Sequence, residues 1–136
     1  MRILGKIGSF GKTIIFETSD KKILKPDSLK REVKGRWTNY DRQKKKPLRH
    51  FNGPDLDEQT FTIVLDARHG VKPRKMLEKI ENCVRKGTPE NLVIGKKKIG
   101  KNKMVIESAS ETWDEIWNKG ELVRVSVDIT VTEYPK

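Results

Sequence analysis

A strictly alternating stretch near the C-terminus constrains the fold more than any other part of the sequence. Within residues 121–134, the odd positions from 123 to 131 are Val, Val, Val, Ile and Val, and the even positions from 124 to 132 are Arg, Ser, Asp, Thr and Thr. Successive side chains of a β-strand point to opposite faces of the sheet. The stretch therefore predicts a strand with one buried and one solvated face, longer than the usual length of about 5–6 residues.

The residues before this strand predict that it is one arm of a long antiparallel hairpin. The tripeptide Asn118-Lys119-Gly120 contains the residue types that tolerate positive φ in a hairpin turn. The other arm, residues 103–117, begins with the apolar run Met104-Val105-Ile106 and continues with Ser or Thr at positions 108, 110 and 112. We expect this arm to begin in the core and to end as a polar, projecting ribbon.

Two other segments carry a clear period. Residues 60–67 place Phe, Ile, Leu and Ala at the odd positions, which predicts a second strand. Residues 73–87 begin with Pro, end with Gly and repeat apolar residues at helical spacing, which predicts one amphipathic helix. Weaker patterns predict short strands at residues 2–7, 12–18 and 92–94, with a loop at residues 8–11.

Together these elements predict an α+β fold: a largely antiparallel β-sheet or small sandwich, one amphipathic helix packed on it, and a long C-terminal hairpin. A chain of 136 residues fits a single domain. We divide it into basic N-terminal strands with an extended arm at residues 1–54, and a core of sheet, helix and hairpin at residues 55–136. Within the arm, residues 29–37 are expected to be extended and exposed, and residues 51–54 to form a turn.

The positive charge is concentrated in the N-terminal part of the chain. The net charge is +11, and residues 1–54 hold 15 Lys and Arg against 5 Asp and Glu. Such a field favours an anionic partner, whether nucleic acid, an acidic lipid surface or an acidic protein face. No apolar run approaches the roughly 20 residues that cross a bilayer, so we expect no membrane partner. The single cysteine and the lack of a secretion signal predict a protein that folds in the cytosol.

The residue types that usually carry out catalysis are not spaced in the sequence as they are in catalytic or metal-binding sites. His50 and His69 lack the spacing of a metal site. Cys83 lies on the apolar side of the predicted helix, where a thiol is a small hydrophobic side chain. The acidic residues Asp55, Asp57 and Glu58 precede a strand and are more typical of a turn than of acid-base catalysis. We therefore predict no enzymatic activity, no cofactor and no metal.

Basic residues with interleaved aromatics are the strongest binding signal. Lysines bind phosphate and aromatic rings stack on bases, so the pattern is compatible with nucleic acid, but no known RNA-binding or helix-turn-helix signature is present. On composition we favour a protein-facing basic arm over a nucleic-acid arm. Two tryptophans on the projecting ribbon are typical of interface anchors. The predicted partner-binding residues are Arg36, Trp37, Tyr40, Lys44, Lys45, Lys46, Trp113 and Trp117.

A succession of short motifs resembles a known family over roughly residues 30 to 135. A tryptophan in a basic segment is followed by a Phe-x-Gly-Pro motif, a Glu-x-x-x-x-Ile-x-Leu strand, a helix that ends in Gly-Thr-Pro, a Val-Ile-Glu-Ser arm and an alternating final strand. These motifs begin at Trp37, Phe51, Glu58, Gly87, Val105 and Val123. The chain resembles the tail protein U family of contractile-tailed phages and of phage-tail-like bacteriocins. Its lysine content and the charged insert at residues 41–49 depart from that pattern.

The resemblance implies a structural, non-enzymatic tail component. It implies several copies around the tail tube near the baseplate. We expect a six-fold ring in contact with tube, hub, sheath or baseplate proteins. A position at the head-proximal end as a tail terminator is a second interpretation, and a basic nucleic-acid-binding module is a third. The expected location is the cytoplasm during assembly and then the virion or phage-tail-like particle.

Overall fold

The alternating C-terminal segment is an inner strand of a four-stranded sheet in the computed structural model, which describes residues 5–11, 14–18, 23–24, 26–95, 97–116 and 122–135. The described strands are β1 Gly5–Phe10, β2 Ile14–Thr18, β3 Ile23–Leu24, β4 Pro26–Glu32, β5 Gly35–Arg42, β6 Lys45–Pro54, β7 Glu58–Asp66, β8 Leu92–Ile94, β9 Lys97–Lys98, β10 Lys103–Ile116 and β11 Leu122–Tyr134. A 3-10 turn covers Ala67–His69 and the helix α1 covers Pro73–Lys86. The α+β prediction is confirmed.

The four-stranded sheet has the order β10-β11-β7-β4, with every neighbouring pair antiparallel. Val125, Val127 and Ile129 of β11 lie opposite Leu65, Ile63 and Phe61 of β7. All six side chains are buried, because both strands turn their odd-numbered positions to the same face. The predicted one-sided burial of the two strands is confirmed.

A second antiparallel sheet, of order β3-β2-β1-β8-β9, closes the core. The ring of Phe16 on β2 meets the ring of Phe61 on β7 edge-on, with centroids 5.7 Å apart. The loop predicted at residues 8–11 is wrong for residues 8–10, because β1 continues to Phe10 and pairs with β8. A Cβ at Gly8 would lie 2.1 Å from the carbonyl oxygen of Val93, so this pairing requires a residue without a side chain.

The predicted amphipathic helix is confirmed, with Met76, Leu77, Ile80 and Cys83 among its buried residues. Its first residue is Pro73, and it ends at Gly87, which has φ 62° and donates its backbone N–H to the Cys83 carbonyl oxygen. A left-handed glycine is the usual way to end a helix without steric cost. The helix packs on β10, β11 and β7. Among the described residues, no helix has the length and hydrophobicity of a membrane span.

The prediction that residues 29–37 are extended and exposed is confirmed, and the strands that contain them are paired. β4 joins the main sheet beside β7, and its Leu29 packs against the core. β5 and β6 form a separate two-stranded antiparallel sheet. The turn predicted at residues 51–54 is wrong, because all four residues belong to β6. The chain reverses at residues 43–44 instead, where Lys44 has φ 59°.

The C-terminal hairpin is confirmed as β10 and β11, while its predicted turn, Asn118-Lys119-Gly120, lies outside the described residues. A β-bulge at Glu107 interrupts the register between Ile106 and Ser108. Before the bulge, the even-numbered Met104 and Ile106 are buried. After it, the odd-numbered Ala109 lies opposite the buried Ile129 and packs against the core. The even-numbered positions of β10 therefore face the core before the bulge, and the odd-numbered positions face it after the bulge.

Candidate interaction surfaces

β5 and β6 form a hairpin that we call the basic hairpin, residues 35–54. Their register places Trp37 opposite Phe51 and Tyr40 opposite Leu48. These four side chains are between 50% and 54% exposed. Because positions 37 and 40 lie on opposite faces of a strand, both faces of the basic hairpin present apolar surface to solvent. Exposure of both faces distinguishes this hairpin from the strands of the core.

One face holds an aromatic and cationic cluster. The rings of Trp37 and Phe51 have centroids 5.0 Å apart. The Arg49 guanidinium carbon lies 4.5 Å from the centroid of Trp37, and its Nε donates to Asn39 Oδ1 at 3.1 Å. A cation over an indole face gains from the ring quadrupole, by about 0.5–1 kcal/mol at exposed sites. The cluster holds Trp37 in place while leaving half of it exposed.

The other face combines Tyr40 with His50, whose rings approach edge-on with centroids 6.5 Å apart. Thr38 Oγ1 accepts a hydrogen bond from the Asn52 side-chain amide on the same face. Leu48 completes this face as an exposed apolar residue. These residues are too few to form a core of their own, and a lone hairpin of this kind is marginally stable in water.

The tip of the basic hairpin carries its densest charge. Lys44, Lys45 and Lys46 are exposed, and Arg42 Nε donates to the Lys46 carbonyl oxygen at 3.0 Å across the turn. Over residues 35–54 the sequence holds six Lys and Arg against the single acid Asp41. The basic hairpin is therefore a cationic projection with apolar side chains on its two faces.

Hydrogen bonds at its base tie the basic hairpin to the sheet. Asp55 donates its backbone N–H to the Lys34 carbonyl oxygen at 3.0 Å, and Arg36 Nε donates to the Pro54 carbonyl oxygen at 3.2 Å. Just beyond, Arg31 of β4 pairs with Asp57 at 3.1 Å. These contacts hold the two ends of the basic hairpin together beside β4.

The second surface is the distal ribbon, residues 107–116 of β10 with residues 122–128 of β11. Trp113, 41% exposed, donates its indole N–H to Glu111 Oε1 at 3.1 Å, and the Arg74 guanidinium carbon lies 5.2 Å from its ring centroid. The prediction of Trp113 as a contact residue remains a prediction, and Trp117 lies outside the described residues. Ile116, 54% exposed, adds an apolar side chain to the same ribbon.

A buried carboxylate joins the distal ribbon to the 3-10 turn. Asp66, 1% exposed, accepts from the backbone N–H and the Nε of Arg68, and Arg124 Nη1 lies 3.7 Å from Asp66 Oδ2. Arg68 also pairs with Glu115 at 3.0 Å. The hydrogen bonds to Asp66 and then to Glu115 raise the pKa of Arg68 above its ordinary value. The alternation of β7 predicts a solvated Asp66, so sequence reasoning missed this network.

The acidic side chains of the distal ribbon were also missed. β10 carries Glu107, Glu111, Asp114 and Glu115, and the sequence has no Lys or Arg from 104 to 116. On β11, Asp128 accepts a hydrogen bond from the Thr62 hydroxyl, and Glu107 accepts one from the Thr132 hydroxyl at 2.6 Å. Neutral hydroxyl donors leave the charge of each carboxylate in place. These acids are visible in the sequence as a run of negative charge, but the face of the ribbon that each one occupies depends on the bulge at Glu107.

Seven of the eight predicted partner-binding residues belong to the described part of the chain, and they fall on two separate surfaces. Six lie on the basic hairpin, beside β4 at one edge of the four-stranded sheet, and Trp113 lies on β10 at the other edge. In the part of the chain that the structure describes, no group of three His, Cys, Asp or Glu side chains is arranged to hold a metal ion. Cys83 is buried in the helix, and His50 packs against Tyr40.

Comparison with known protein families gives one informative result. A sequence profile described as Phage P2 GpU matches residues 13–136 of this chain. The match includes both candidate surfaces and almost all of the core. A comparison with curated proteins finds no match.

Proposed function

Because the chain belongs to the Phage P2 GpU family and is thus a phage tail structural protein, we propose that several copies form a ring or bridge around the tail tube at the baseplate end. The residue motifs predicted this family, and the match confirms it. The particle is a contractile phage tail or a phage-tail-like particle.

The observation that supports a multi-copy assembly is the placement of two exposed β projections at opposite edges of one sheet. The basic hairpin adjoins β4, and the distal ribbon is built on β10. Exposed strand edges readily pair or pack with another chain. When the two surfaces of a contact lie on different sides of a subunit, association is head-to-tail, and it closes into a ring if the rotation between copies allows.

The other proposed partners are tube, hub, sheath or baseplate proteins. Electrostatic complementarity steers charged surfaces together and fixes their register. The cations of the basic hairpin are suited to acidic surfaces, and Trp37, Tyr40 and Phe51 offer large rings that a partner would bury. We place the protein in the cytoplasm during assembly and in the particle afterwards, without a membrane partner and without a catalytic role.

Isolation of particles with and without this gene tests the proposal. The expected result is that the protein is found in purified wild-type particles, that an antibody labels the baseplate end, and that deletion prevents complete tails from forming. Complementation with the wild-type gene is the control. Complete tails in the deletion strain would contradict a structural role, and label at the head-proximal end would replace the baseplate placement with a tail terminator.

A basic nucleic-acid-binding module is the second candidate, supported by the stacked Trp37, Phe51 and Arg49. Binding of this kind weakens steeply as salt increases, because counterions are released from the phosphates. A fluorescence titration with single-stranded and double-stranded DNA at low salt tests it. Submicromolar binding that disappears in Trp37→Ala would favour this function over the structural one.

A further inference from the structure

The charges of this chain are sorted onto its two projections. The basic hairpin holds six of its seven charged residues as cations, whereas β10 holds acids and no base between 104 and 116. The formation of a β-sheet does not by itself require cations and anions to be separated in this way. Two surfaces of opposite charge on one chain are complementary to each other.

Within one copy the two surfaces are separate: among the described residues, no hydrogen bond or ion pair joins the basic hairpin to the acids of the distal ribbon. β11 and β7 lie between β10 and β4, and neighbouring strands are separated by about 4.8 Å, so the two edges are about 14 Å apart. The basic hairpin continues from β4 and the acids line β10. A contact between the two surfaces therefore joins two copies.

Some of the acids remain available for such a contact. Arg124 lies 3.8 Å from Asp114, and Arg68 pairs with Glu115, so these two carboxylates are partly compensated within the chain. Glu107 and Asp128 instead accept hydrogen bonds from the hydroxyls of Thr132 and Thr62. Both are exposed, and both lie on the side of the ribbon that faces away from the core.

The two surfaces also match in length and in apolar content. The eight residues of β5 span about 26 Å and the ten residues 107–116 about 33 Å, at roughly 3.3 Å per residue. Each face of the basic hairpin carries exposed apolar side chains, Trp37 on one and Leu48 on the other. On the ribbon Ile116 is exposed, whereas Trp113 lies opposite Val125 and therefore on the face away from Asp128. Large apolar anchors surrounded by charged residues are the usual anatomy of a protein interface.

We propose that the basic hairpin of one copy lies against the acidic distal ribbon of the next copy, and that this contact closes the ring. The inference rests on the proposed multi-copy function and names its interface. Lys44, Lys45 and Lys46 face the carboxylates of Glu107 and Asp128 of the neighbour. Since the two surfaces differ, the contact is head-to-tail: each copy uses its hairpin to contact one neighbour and its ribbon to contact the other.

Charge reversal on the full-length protein tests this interface. One variant reverses the hairpin by Lys44→Glu, Lys45→Glu and Lys46→Glu, and a second reverses the ribbon by Glu107→Lys and Asp128→Lys. Sedimentation velocity at low salt measures self-association. We expect each variant alone to associate on the order of a hundredfold more weakly than the wild type, because like charges then face each other.

The mixture of the two variants is the decisive sample. The reversed hairpin of one chain is complementary to the reversed ribbon of the other, so the mixture is expected to recover the wild-type association. A triple variant Lys75→Glu, Lys79→Glu and Lys86→Glu on the exposed side of α1 has the same net charge as the hairpin variant and is expected to associate normally. Circular dichroism checks that every variant is folded.

Three outcomes would overturn the interface: a wild-type chain that stays monomeric up to millimolar concentration, single variants that associate normally, or a mixture that fails to recover. These outcomes leave the tail function untouched, because that function is tested by the presence of the protein in particles. Conversely, absence from particles would overturn the tail function even if the mixture recovered.

Discussion

The C-terminal hairpin and the basic hairpin are both long antiparallel pairs, yet they relate to the core in different ways. β11 buries Val123, Val125, Val127, Ile129 and Val131 on one face. The basic hairpin leaves Trp37 and Tyr40 about half exposed on its two faces. The first is stabilised by the burial of apolar surface, and the second by its own pairing and by the hydrogen bonds at its base. The chain therefore uses the same motif once as part of its core and once as a projection.

The largest expected difference between the two hairpins is in amide hydrogen exchange. In the isolated protein, the amides of β11 open only with global unfolding, while those of β5 and β6 open locally because a lone hairpin is marginally stable. We expect the β11 amides to exchange on the order of a thousandfold more slowly or more. Exchange monitored by mass spectrometry or NMR measures this. Equal protection of both hairpins would show that the basic hairpin is as stable as the core.

The next largest difference is expected in stability, when one apolar residue of each hairpin is truncated to alanine. Ile129 is fully buried on β11, so Ile129→Ala is expected to lower the free energy of unfolding by about 2–5 kcal/mol. Leu48 is 54% exposed on β6, so Leu48→Ala is expected to change it by less than about 0.5 kcal/mol. Urea denaturation followed by circular dichroism measures both. A large loss in Leu48→Ala would mean that the basic hairpin packs on the core.

The buried carboxylate gives a smaller effect. Asp66→Ala removes the oxygen that accepts the Arg68 backbone N–H and caps the 3-10 turn, and loss of such a cap costs about 0.5–2 kcal/mol. Asp128→Ala is the matched control, because Asp128 is exposed and bonded to a threonine hydroxyl. We expect the control to stay within about 0.5 kcal/mol of the wild type in urea denaturation. Equal losses would show that the burial of Asp66 carries no additional stability.

The smallest expected effect on stability comes from Trp37→Ala. The substitution removes the ring between Arg49 and Phe51, so the NMR signals of Arg49 Nε–H and the Phe51 ring should shift. The free energy of global unfolding should change by less than about 0.5 kcal/mol, because Trp37 is half exposed and its contacts lie within a hairpin that opens locally before the core unfolds. Leu48→Ala, on the other face, should leave these signals unchanged. A loss above about 1 kcal/mol would show that the Trp37 ring contributes to the stability of the core.

The parts of the fold that could be predicted from the sequence are those with one buried face. Burial imposes the period of two on β7 and β11 and the helical period on α1, so the pattern of apolar residues carries the structure. The basic hairpin has two exposed faces and therefore no such period. Its Phe-Asn-Gly-Pro segment has the composition of a turn, but Gly53 has φ 125° inside β6, beside a bulge in the pairing with β5.

The candidate surfaces were predicted in part for the same reason. Runs of lysine with tryptophan and tyrosine are visible without a fold, so the residues of the basic hairpin could be named. The partners of each ring could not, because Arg49 reaches Trp37 only through the hairpin register, and Arg74 reaches Trp113 only through helix packing. The acids of β10 are visible in the sequence, but no pattern indicates that they share an edge opposite the cations.

The extra residue at Glu107 sets how the ribbon can vary. Because Glu107 is the unpaired residue of the bulge, its removal would leave Ile106 opposite Val131 and Ser108 opposite Thr130 in unbroken alternation, so that the remaining side chains of β10 keep their faces. Replacement of side chains beyond this point leaves the orientation of the others intact. Deletion of a paired residue such as Ala109 would instead turn the residues beyond it to the other face, so Glu107 is a position at which this part of the ribbon can change length by one residue.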